Sequence, residues 1–233
     1  SSEIVAAIEL VRNSYDADAT RVELRFTNPE SREIATLEIR DNGHGMTREI
    51  LLGPWLEPAT DYKTGTKKQG FGGNRSPLGR RRQGSKGVGR FAAQRLGTHL
   101  NLFSRPTGGD MELEAIFDWN LLDNTEQYLD ELEIPWNERL PSHLSGFGTG
   151  LLISNLRDEW TYDRFEKLRV ALSRLVSSSV SGDDFEIYLV INGAEERIEP
   201  VIDRTKAMYS IKGTVAEGGK CSIVYTDISG VEE

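Results

Sequence analysis

A polar cluster on an otherwise apolar helix is the first feature of this sequence that could do chemistry. Residues 3–16 have apolar side chains at helical spacing. At 100° per residue these side chains form one narrow stripe: Ile4, Ile8, Val11 and Tyr15. Glu9, Asn13 and Asp16 fall together on nearly the opposite side. A surface helix would not be apolar on most sides, so we expect the cluster to face a pocket.

Two glycine-containing stretches could add a site for an anion. Residues 41–45 (Asp-Asn-Gly-His-Gly) follow the end of a predicted strand, and residues 84–89 (Gly-Ser-Lys-Gly-Val-Gly) lead into a predicted helix. Glycines before a helix let backbone N–H groups approach a phosphate, which the helix N-terminus also favours. Four nearby cations could supply further positive charge: Lys63, Lys67, Lys86 and Arg90.

The helix offers oxygen atoms that suit a divalent cation. Asn13 can give an amide oxygen to Mg²⁺, a hard cation that keeps several waters and bridges phosphates. Glu9, one helical turn earlier, would lie near that metal and could align or deprotonate a water. Each signal alone is weak, because glycine stretches are often tight turns and a polar helix face can be a buried hydrogen-bond network. All of them in this order are much less expected by chance.

Composition and charge indicate a globular protein with one local anion site. Of 233 residues, 37% are apolar and 28% are charged, enough for one large domain or for one domain plus part of a second. The net charge is −9, yet residues 63–95 hold ten Lys/Arg and no Asp/Glu, which leaves −19 on the rest. This asymmetry favours local binding of an anion over broad coating of nucleic acid.

Other classes of protein are disfavoured. No apolar run approaches the roughly 20 residues of a membrane helix, and no signal-peptide pattern opens the chain. The single Cys221 fits a reducing, cytoplasmic setting. The three histidines, at 44, 99 and 143, have no metal-ligand spacing, so a zinc site is not expected.

The remaining patterns predict strands and helices without the strict alternation of a doubly wound fold. Helices are predicted over 3–16, 48–52, 88–96 and 162–177. Strands are predicted over 21–26, 34–40, 99–104, 111–117, 151–156 and 185–191, with short β-like pieces at 207–212 and 222–225. Residues 120–148 give no clear pattern. We expect a mixed or antiparallel sheet with helices on one face, and Trp55 and Trp160 in core or edge packing.

These motifs resemble the GHKL ATPases, the superfamily of gyrase B, the ninety-kilodalton heat-shock chaperones, histidine kinases and MutL. Residues 9–17 match the N-box, 41–45 the first glycine box and 84–89 the second. Gly148-Thr149-Gly150-Leu151 resembles the Gly-Thr that precedes a late strand. In motif style the chain is most similar to the MutL, chaperone and MORC-like ATPases.

The resemblance implies a fold and a role for each motif. The fold would be the Bergerat fold, a two-layer α/β sandwich with a mixed sheet and helices on one face. Asp41 would accept a hydrogen bond from the adenine amino group, with Thr149 assisting through water. Glu9 would be the general base for hydrolysis and Asn13 the Mg²⁺ ligand, while Asp16 supports the site.

The remaining implied ATP contacts come from the glycine boxes and their surroundings. Gly43 and Gly45 would keep the adenine side open, and Gly84, Gly87 and Gly89 would pass their backbones along the phosphates. The implied ATP-binding set is completed by Met46, Lys63, Ser85, Lys86, Val88, Arg90 and Phe91. Lys86 stands where the chaperones carry an aromatic residue, so its contact with phosphate is a hypothesis specific to this chain.

The resemblance also implies an activity and partners. ATP and Mg²⁺ would bind, a lid at about 60–89 would close, and ATP-linked homodimerisation would switch the conformation of a larger protein. Residues 1–200 would form the ATP-binding domain, and 201–233 a β-rich extension or the start of a truncated, transducer-like domain. A nucleic acid or a protein client would bind through domains outside this chain, and no membrane is expected.

Alternative functions remain open. A histidine kinase generally has Asn where Glu9 stands, so Glu9 favours hydrolysis over a kinase function. An ATP-binding regulatory or dimerisation module with negligible hydrolysis would be recognised by unchanged turnover in Glu9→Ala. A nucleic-acid-binding protein could use the run Arg80-Arg81-Arg82 in the lid, although a solvated, charge-rich loop explains that run equally well.

Overall fold

The computed structural model describes residues 2–52, 76–78, 80, 89–123, 134–178, 185–200, 209–215 and 219–227. The helices are α1 (Glu3–Asp16), α2 (Arg48–Ile50), α3 (Gly89–Leu96), α4 (Trp119–Asp123) and α5 (Tyr162–Ser178). The strands are β1 (Arg21–Thr27), β2 (Thr36–Asp41), β3 (Gly97–Arg105), β4 (Glu112–Asp118), β5 (Trp136–Arg139), β6 (Gly148–Leu156), β7 (Glu186–Ile191), β8 (Ala194–Arg197), β9 (Tyr209–Val215) and β10 (Cys221–Asp227).

Eight strands form one mixed sheet in the order β5-β4-β3-β6-β2-β1-β7-β8. β1 and β7 are parallel, and every other neighbouring pair in this sheet is antiparallel. β9 and β10 pair with each other as a separate antiparallel hairpin. The predicted mixed sheet is therefore confirmed.

The helical layer covers one face of this sheet. Along β1 the buried residues Val22, Leu24 and Phe26 alternate with partly exposed ones, as the period-two pattern predicts. These side chains share one hydrophobic core with the buried sides of α1, α3 and α5, and α1 packs against both other helices. The result is the predicted two-layer α/β sandwich with helices on one face. Trp160 is 1% exposed and packs on Phe26 in this core, as expected.

α1 has the boundaries and the polar face that its sequence predicts. The Ser2 side chain caps the helix by accepting a 3.3 Å hydrogen bond from the Val5 N–H. The buried residues are mostly apolar and include Ala6, Ala7, Ile8, Leu10, Val11 and Tyr15. Glu9, Asn13 and Asp16 are partly exposed together on the other side. The helix therefore presents its polar cluster away from the core.

An ion-pair network at the start of α1 holds the end of α3. Arg95 and Arg164 both contact the buried carboxylate of Glu3, at 3.6 and 3.2 Å, and both also contact Asp158. The end of α3 thus lies beside the start of α1, and the two helices pack against each other.

The differences from the prediction lie at sheet edges and turns. β2 begins at Thr36 and not at Ile34, because a turn with N–H donors at Ile34 and Ala35 to the Ser31 carbonyl precedes it. β8 was not predicted, since all four of its residues are exposed and no apolar alternation marks it. α4 and β5 lie in the segment without a clear pattern, and Trp55 lies outside the described residues. Within the described parts, no helix has the length and apolarity to cross a membrane.

Candidate functional site

The carboxylate of Asp41 lies where three separate parts of the chain meet. The Ser14 hydroxyl donates to Oδ2 at 2.8 Å, and the backbone N–H groups of Gly43 and Thr149 donate to Oδ1 at 2.9 and 3.2 Å. The side chain is half-buried, yet loss of hydration raises the pKa of Asp41 above its ordinary value of 3.8, against the opposing effect of these donors. One carboxylate therefore links α1, the first glycine box and the start of β6.

The first glycine box brings backbone segments into close contact. A Cβ on Gly43 would lie 2.6 Å from the Ala17 carbonyl oxygen, and one on Gly45, whose φ is +68°, would lie 2.2 Å from the Arg105 carbonyl oxygen. The neighbouring His44 N–H donates to Ala17 O at 2.9 Å. The Cβ directions of both glycines are thus filled by protein. Both glycines thus permit close approach of backbone, and the expected role of leaving space beside adenine stays a prediction.

Ser104 connects two further segments of the site through its side chain. Its hydroxyl is fully buried and accepts a 2.8 Å hydrogen bond from the Met46 N–H. The same oxygen lies 3.2 Å from the Gly148 carbonyl oxygen and 3.2 Å from the Thr149 hydroxyl. Ser104 thereby joins the end of the first glycine box to the Gly-Thr motif. The sequence prediction missed it, although a polar residue in the inward series Leu100, Leu102, Ser104 was a usable signal.

The polar face of α1 carries Glu9 and Asn13 beside an arginine that was not predicted to matter. The Arg12 Nη1 atom contacts Glu9 Oε1 at 2.5 Å, and among the described residues the buried Arg12 Nε has no hydrogen-bond partner. Within the same residues the Asn13 side chain makes no hydrogen bond. Arg12 stands three positions after Glu9, a spacing that brings side chains together on a helix and could have identified it.

The second glycine box is described only where it enters α3. Lys63, Gly84, Ser85, Lys86, Gly87 and Val88 lie outside the described residues, so their predicted contacts stay predictions. Gly89 and Arg90 form the first turn of α3, and the Phe91 side chain is 44% exposed. The described part of this helix runs from Gly89 to Leu96, and Val88, the predicted first residue, lies outside the described residues.

Arg80 is buried against protein, which neither interpretation of the run Arg80-Arg81-Arg82 predicted. The side chain is 8% exposed, and its guanidinium donates to backbone carbonyls at the end of α1. For Arg80 the expectations of a solvated loop residue and of a nucleic-acid contact are therefore wrong, because its hydrogen-bonding groups face protein. Arg81 and Arg82 lie outside the described residues.

The donor set on α1 suits Mg²⁺ better than a metal bound by protein alone. Across the described part of the chain, no group of three or more His, Cys, Asp or Glu side chains is close enough to hold a metal ion. Mg²⁺ commonly takes one or two protein oxygens and completes its shell with water and phosphate. The Asn13 amide oxygen and the Glu9 carboxylate, one turn apart, fit that chemistry.

The fold is that of the GHKL superfamily of ATPase-type domains. The family described as Histidine kinase-, DNA gyrase B-, and HSP90-like ATPase matches residues 1–149, more than half of the chain, and the chain belongs to this family. The resemblance of the sequence motifs is thereby confirmed.

Comparison with individual proteins adds one structural likeness. The Aquifex aeolicus MutL ATPase domain complexed with ADP is similar, with a TM-score of 0.48 and 16% sequence identity, over 86% of this chain. The likeness covers 65% of the MutL chain, so the present chain spans less than two thirds of that structure. No curated protein sequence matches this one.

Proposed function

We propose that this chain binds Mg-ATP and hydrolyses it, with Asp41 recognising adenine. The observation that carries the proposal is the convergence of Ser14, Gly43 and Thr149 on one half-buried carboxylate. Their three hydrogen bonds hold the carboxylate in one orientation, and a carboxylate can accept several more. The exocyclic amino group of adenine is a donor that such an acceptor selects, and guanine offers a carbonyl oxygen at the same position.

The phosphates would lie farther along α1. Glu9 precedes Ser14 by five residues, about 7.5 Å of helix rise, and Asn13 lies between them. α3 packs on α1, and the N-terminus of a helix attracts negative charge. The nucleotide would therefore run from Asp41 toward Glu9, with the second glycine box along its phosphates.

Asn13 and Glu9 would have different roles in the reaction. Asn13 would hold Mg²⁺, which when bound neutralises phosphate charge and favours attack at the γ-phosphorus. Glu9 would accept a proton from the attacking water while the water oxygen bonds to the γ-phosphorus. The bond to the bridging oxygen then breaks, and its electron pair leaves with ADP.

We extend the proposal to the conformational cycle. Residues 60–89 would act as a lid, ATP would promote homodimerisation, and residues 1–200 would form the nucleotide domain. Residues 201–233 would belong to an extension or a second domain, which the separate β9–β10 hairpin supports, since two strands alone are marginally stable. A cytoplasmic location is supported by the exposed free thiol of Cys221.

One observation favours a second candidate, an ATP-binding switch with negligible hydrolysis. Glu9 Oε1 contacts the Arg12 guanidinium at 2.5 Å, so one carboxylate oxygen is already engaged by a cation. Water activation at that oxygen would have to compete with this ion pair. Hydrolysis would then be slow, and binding alone would supply the biological signal.

Titration with a non-hydrolysable ATP analogue and Mg²⁺ tests binding, and steady-state turnover tests hydrolysis. We expect the wild type to bind, and Glu9→Gln and Glu9→Ala to bind within about threefold while turnover falls roughly 100-fold. The control is Glu49→Gln, an exposed glutamate on α2. No binding by the wild type would refute the proposal. Equal, slow turnover by the wild type and Glu9→Ala would establish the binding switch.

A further inference from the structure

Arg80 is buried against the carboxyl end of the helix that carries Glu9 and Asn13. Its Nη1 atom donates to the carbonyl oxygen of Ala19 at 2.5 Å and to that of Tyr15 at 3.3 Å. The guanidinium also lies over the Tyr15 ring, 4.6 Å from its centroid, and 5.6 Å from that of Phe185. One side chain therefore bonds to the end of α1 and to the chain that follows it.

The residues around Arg80 form a compact clip on the same turn. The Ser76 N–H donates to the Arg80 carbonyl oxygen at 2.8 Å, and the Arg80 N–H donates to Ser76 Oγ at 3.1 Å. Ser76 Oγ in turn donates to Asp18 Oδ1, and the Leu78 N–H donates to Asp18 Oδ2 at 3.3 Å. Asp18 has a φ of 58° and makes the turn that ends α1. The clip, Ser76 to Arg80, thus bonds to both sides of that turn.

The chemistry of this contact explains why an arginine is needed. The last carbonyl groups of a helix have no partner within the helix, and a cation beside them is favoured by the helix dipole. The planar guanidinium can donate to two carbonyls while stacking on an aromatic ring, which an ammonium group cannot do in the same way. Burying a charge without such partners is costly, so the burial of Arg80 depends on these bonds.

Hydrogen bonds relate this contact to the nucleotide site. Ser14, next to Tyr15 on α1, donates to the Asp41 carboxylate at 2.8 Å. The Ala17 carbonyl oxygen, in the turn that follows, accepts from the His44 N–H of the first glycine box at 2.9 Å. The turn that Arg80 holds therefore bonds directly to the residues around Asp41.

We propose that Arg80 is a positioning residue of the nucleotide site. It fixes the carboxyl end of α1, and so sets the position of Glu9 and Asn13 on that helix relative to Asp41. It acts through backbone and does not touch the nucleotide. The inference rests on the proposed ATP-binding function for its consequence, although the anchoring itself needs no nucleotide.

Hydrogen exchange of the nucleotide-free protein measures the anchor directly. In Arg80→Ala we expect the backbone amides of residues 14–20 to exchange at least tenfold faster than in the wild type, because this turn opens locally. Affinity for the Mg-bound analogue should fall at least tenfold in the same variant. Arg174→Ala, which removes an exposed arginine of α5, is the matched control and should leave exchange in residues 14–20 unchanged.

Two further variants distinguish anchoring of α1 from direct contact of residue 80 with phosphate. They also keep the test informative if Arg80→Ala does not fold. Ser76→Ala keeps the guanidinium but removes the bonds that close the clip, and it should accelerate the same amides less, by about threefold. Arg80→Lys keeps the charge and should restore neither slow exchange nor full affinity. Wild-type affinity in Arg80→Lys with fast exchange, or unchanged exchange in both Arg80→Ala and Ser76→Ala, would overturn the proposal. If the wild type binds no analogue, the ATP function fails, and the exchange data still decide the anchor.

Discussion

The Ser14 hydroxyl donates a 2.8 Å hydrogen bond to Oδ2 of Asp41, across 27 residues of sequence. This bond ties the helix that carries Glu9 and Asn13 to the end of β2. The base recognition proposed for Asp41 and the chemistry proposed for Glu9 would therefore depend on one shared hydrogen bond. A substitution at Ser14 should therefore affect both binding of the base and the reaction at the phosphates.

Ser14→Ala tests this connection. The half-buried carboxylate would lose one of its three donors, so we expect the free energy of unfolding to fall by about 1–2 kcal/mol. Affinity for the ATP analogue should fall by roughly 5- to 30-fold, as a loss of the same size implies. Urea unfolding and calorimetry measure the two effects. Ser145→Ala, at an exposed loop position, is the control, and equal behaviour of the two variants would contradict the connection.

Asp41→Asn should reduce binding of the nucleotide without reducing the free energy of unfolding. Asparagine retains one oxygen that can accept from Gly43 and Thr149, but it offers adenine an amide N–H in place of an acceptor. Binding of the analogue should fall by at least about 30-fold, equivalent to about 2 kcal/mol. The free energy of unfolding at neutral pH should not decrease, because removing the carboxylate also removes its desolvation cost. A loss of stability as large as the loss of binding would contradict this prediction.

The wild type and Asp41→Asn should also differ in how their stability depends on pH. Because the folded pKa of Asp41 is raised above 3.8, the folded state binds more protons than the unfolded state between the two pKa values. The contribution of Asp41 to stability is thus fully present below the unfolded pKa and is lost as pH rises through the folded pKa. The stability of wild type relative to Asp41→Asn should therefore decrease with rising pH in that window, which unfolding curves at several pH values would measure.

Gly148→Ala should be among the most damaging single substitutions in the sheet. Gly148 has a φ of +130°, and a Cβ there would lie 2.0 Å from the Asp41 carbonyl oxygen. Backbone at this position cannot move without displacing Asp41, so we expect a loss of at least about 3 kcal/mol. Gly146→Ala is the matched control, since a Cβ there meets nothing within 4 Å. Similar melting temperatures for both variants would show that the site tolerates displacement.

Glu112→Ala should loosen the loop that leads to Thr149. The Glu112 carboxylate is fully buried and accepts from the Leu144 N–H at 2.7 Å and from the His143 N–H, with Arg139 as its ion-pair partner. Removing it leaves buried donors without an acceptor, which we expect to cost about 3 kcal/mol. Chemical unfolding measures this cost, and Glu138→Ala, at an exposed position on β5, should change stability by less than about 0.5 kcal/mol.

Local periodicity was sufficient to predict α1 and a mixed or antiparallel sheet with helices on one face, while the two-layer sandwich was predicted from the resemblance of the motifs. α1 has the predicted bounds and face because its apolar spacing and its polar cluster lie within one element. β1 and the helix at Tyr162–Ser178 were found for the same reason. β8 was missed because an edge strand with every residue exposed carries no burial signal.

Contacts between distant segments could not be predicted from type and spacing. Ser14 and Ser104 look like unremarkable small polar residues in sequence, and their importance arises from what lies opposite them in the fold. Arg80 stands in a run of three arginines that suggests solvent exposure, yet it is buried because the carbonyls of the α1 turn lie beside it.

The long-range bond from the Thr149 N–H to Asp41 has a consequence for synthesis of the protein. It spans 108 residues, and the paired residues of β2 and β6 are 110 to 118 residues apart. A ribosome adds about 5–20 residues per second, so Asp41 waits on the order of 5–20 seconds for this partner. Until then the nascent helix and first strands lack the contacts that complete the domain. Nucleotide binding would therefore be acquired only after β6 has been synthesised and has joined the central sheet.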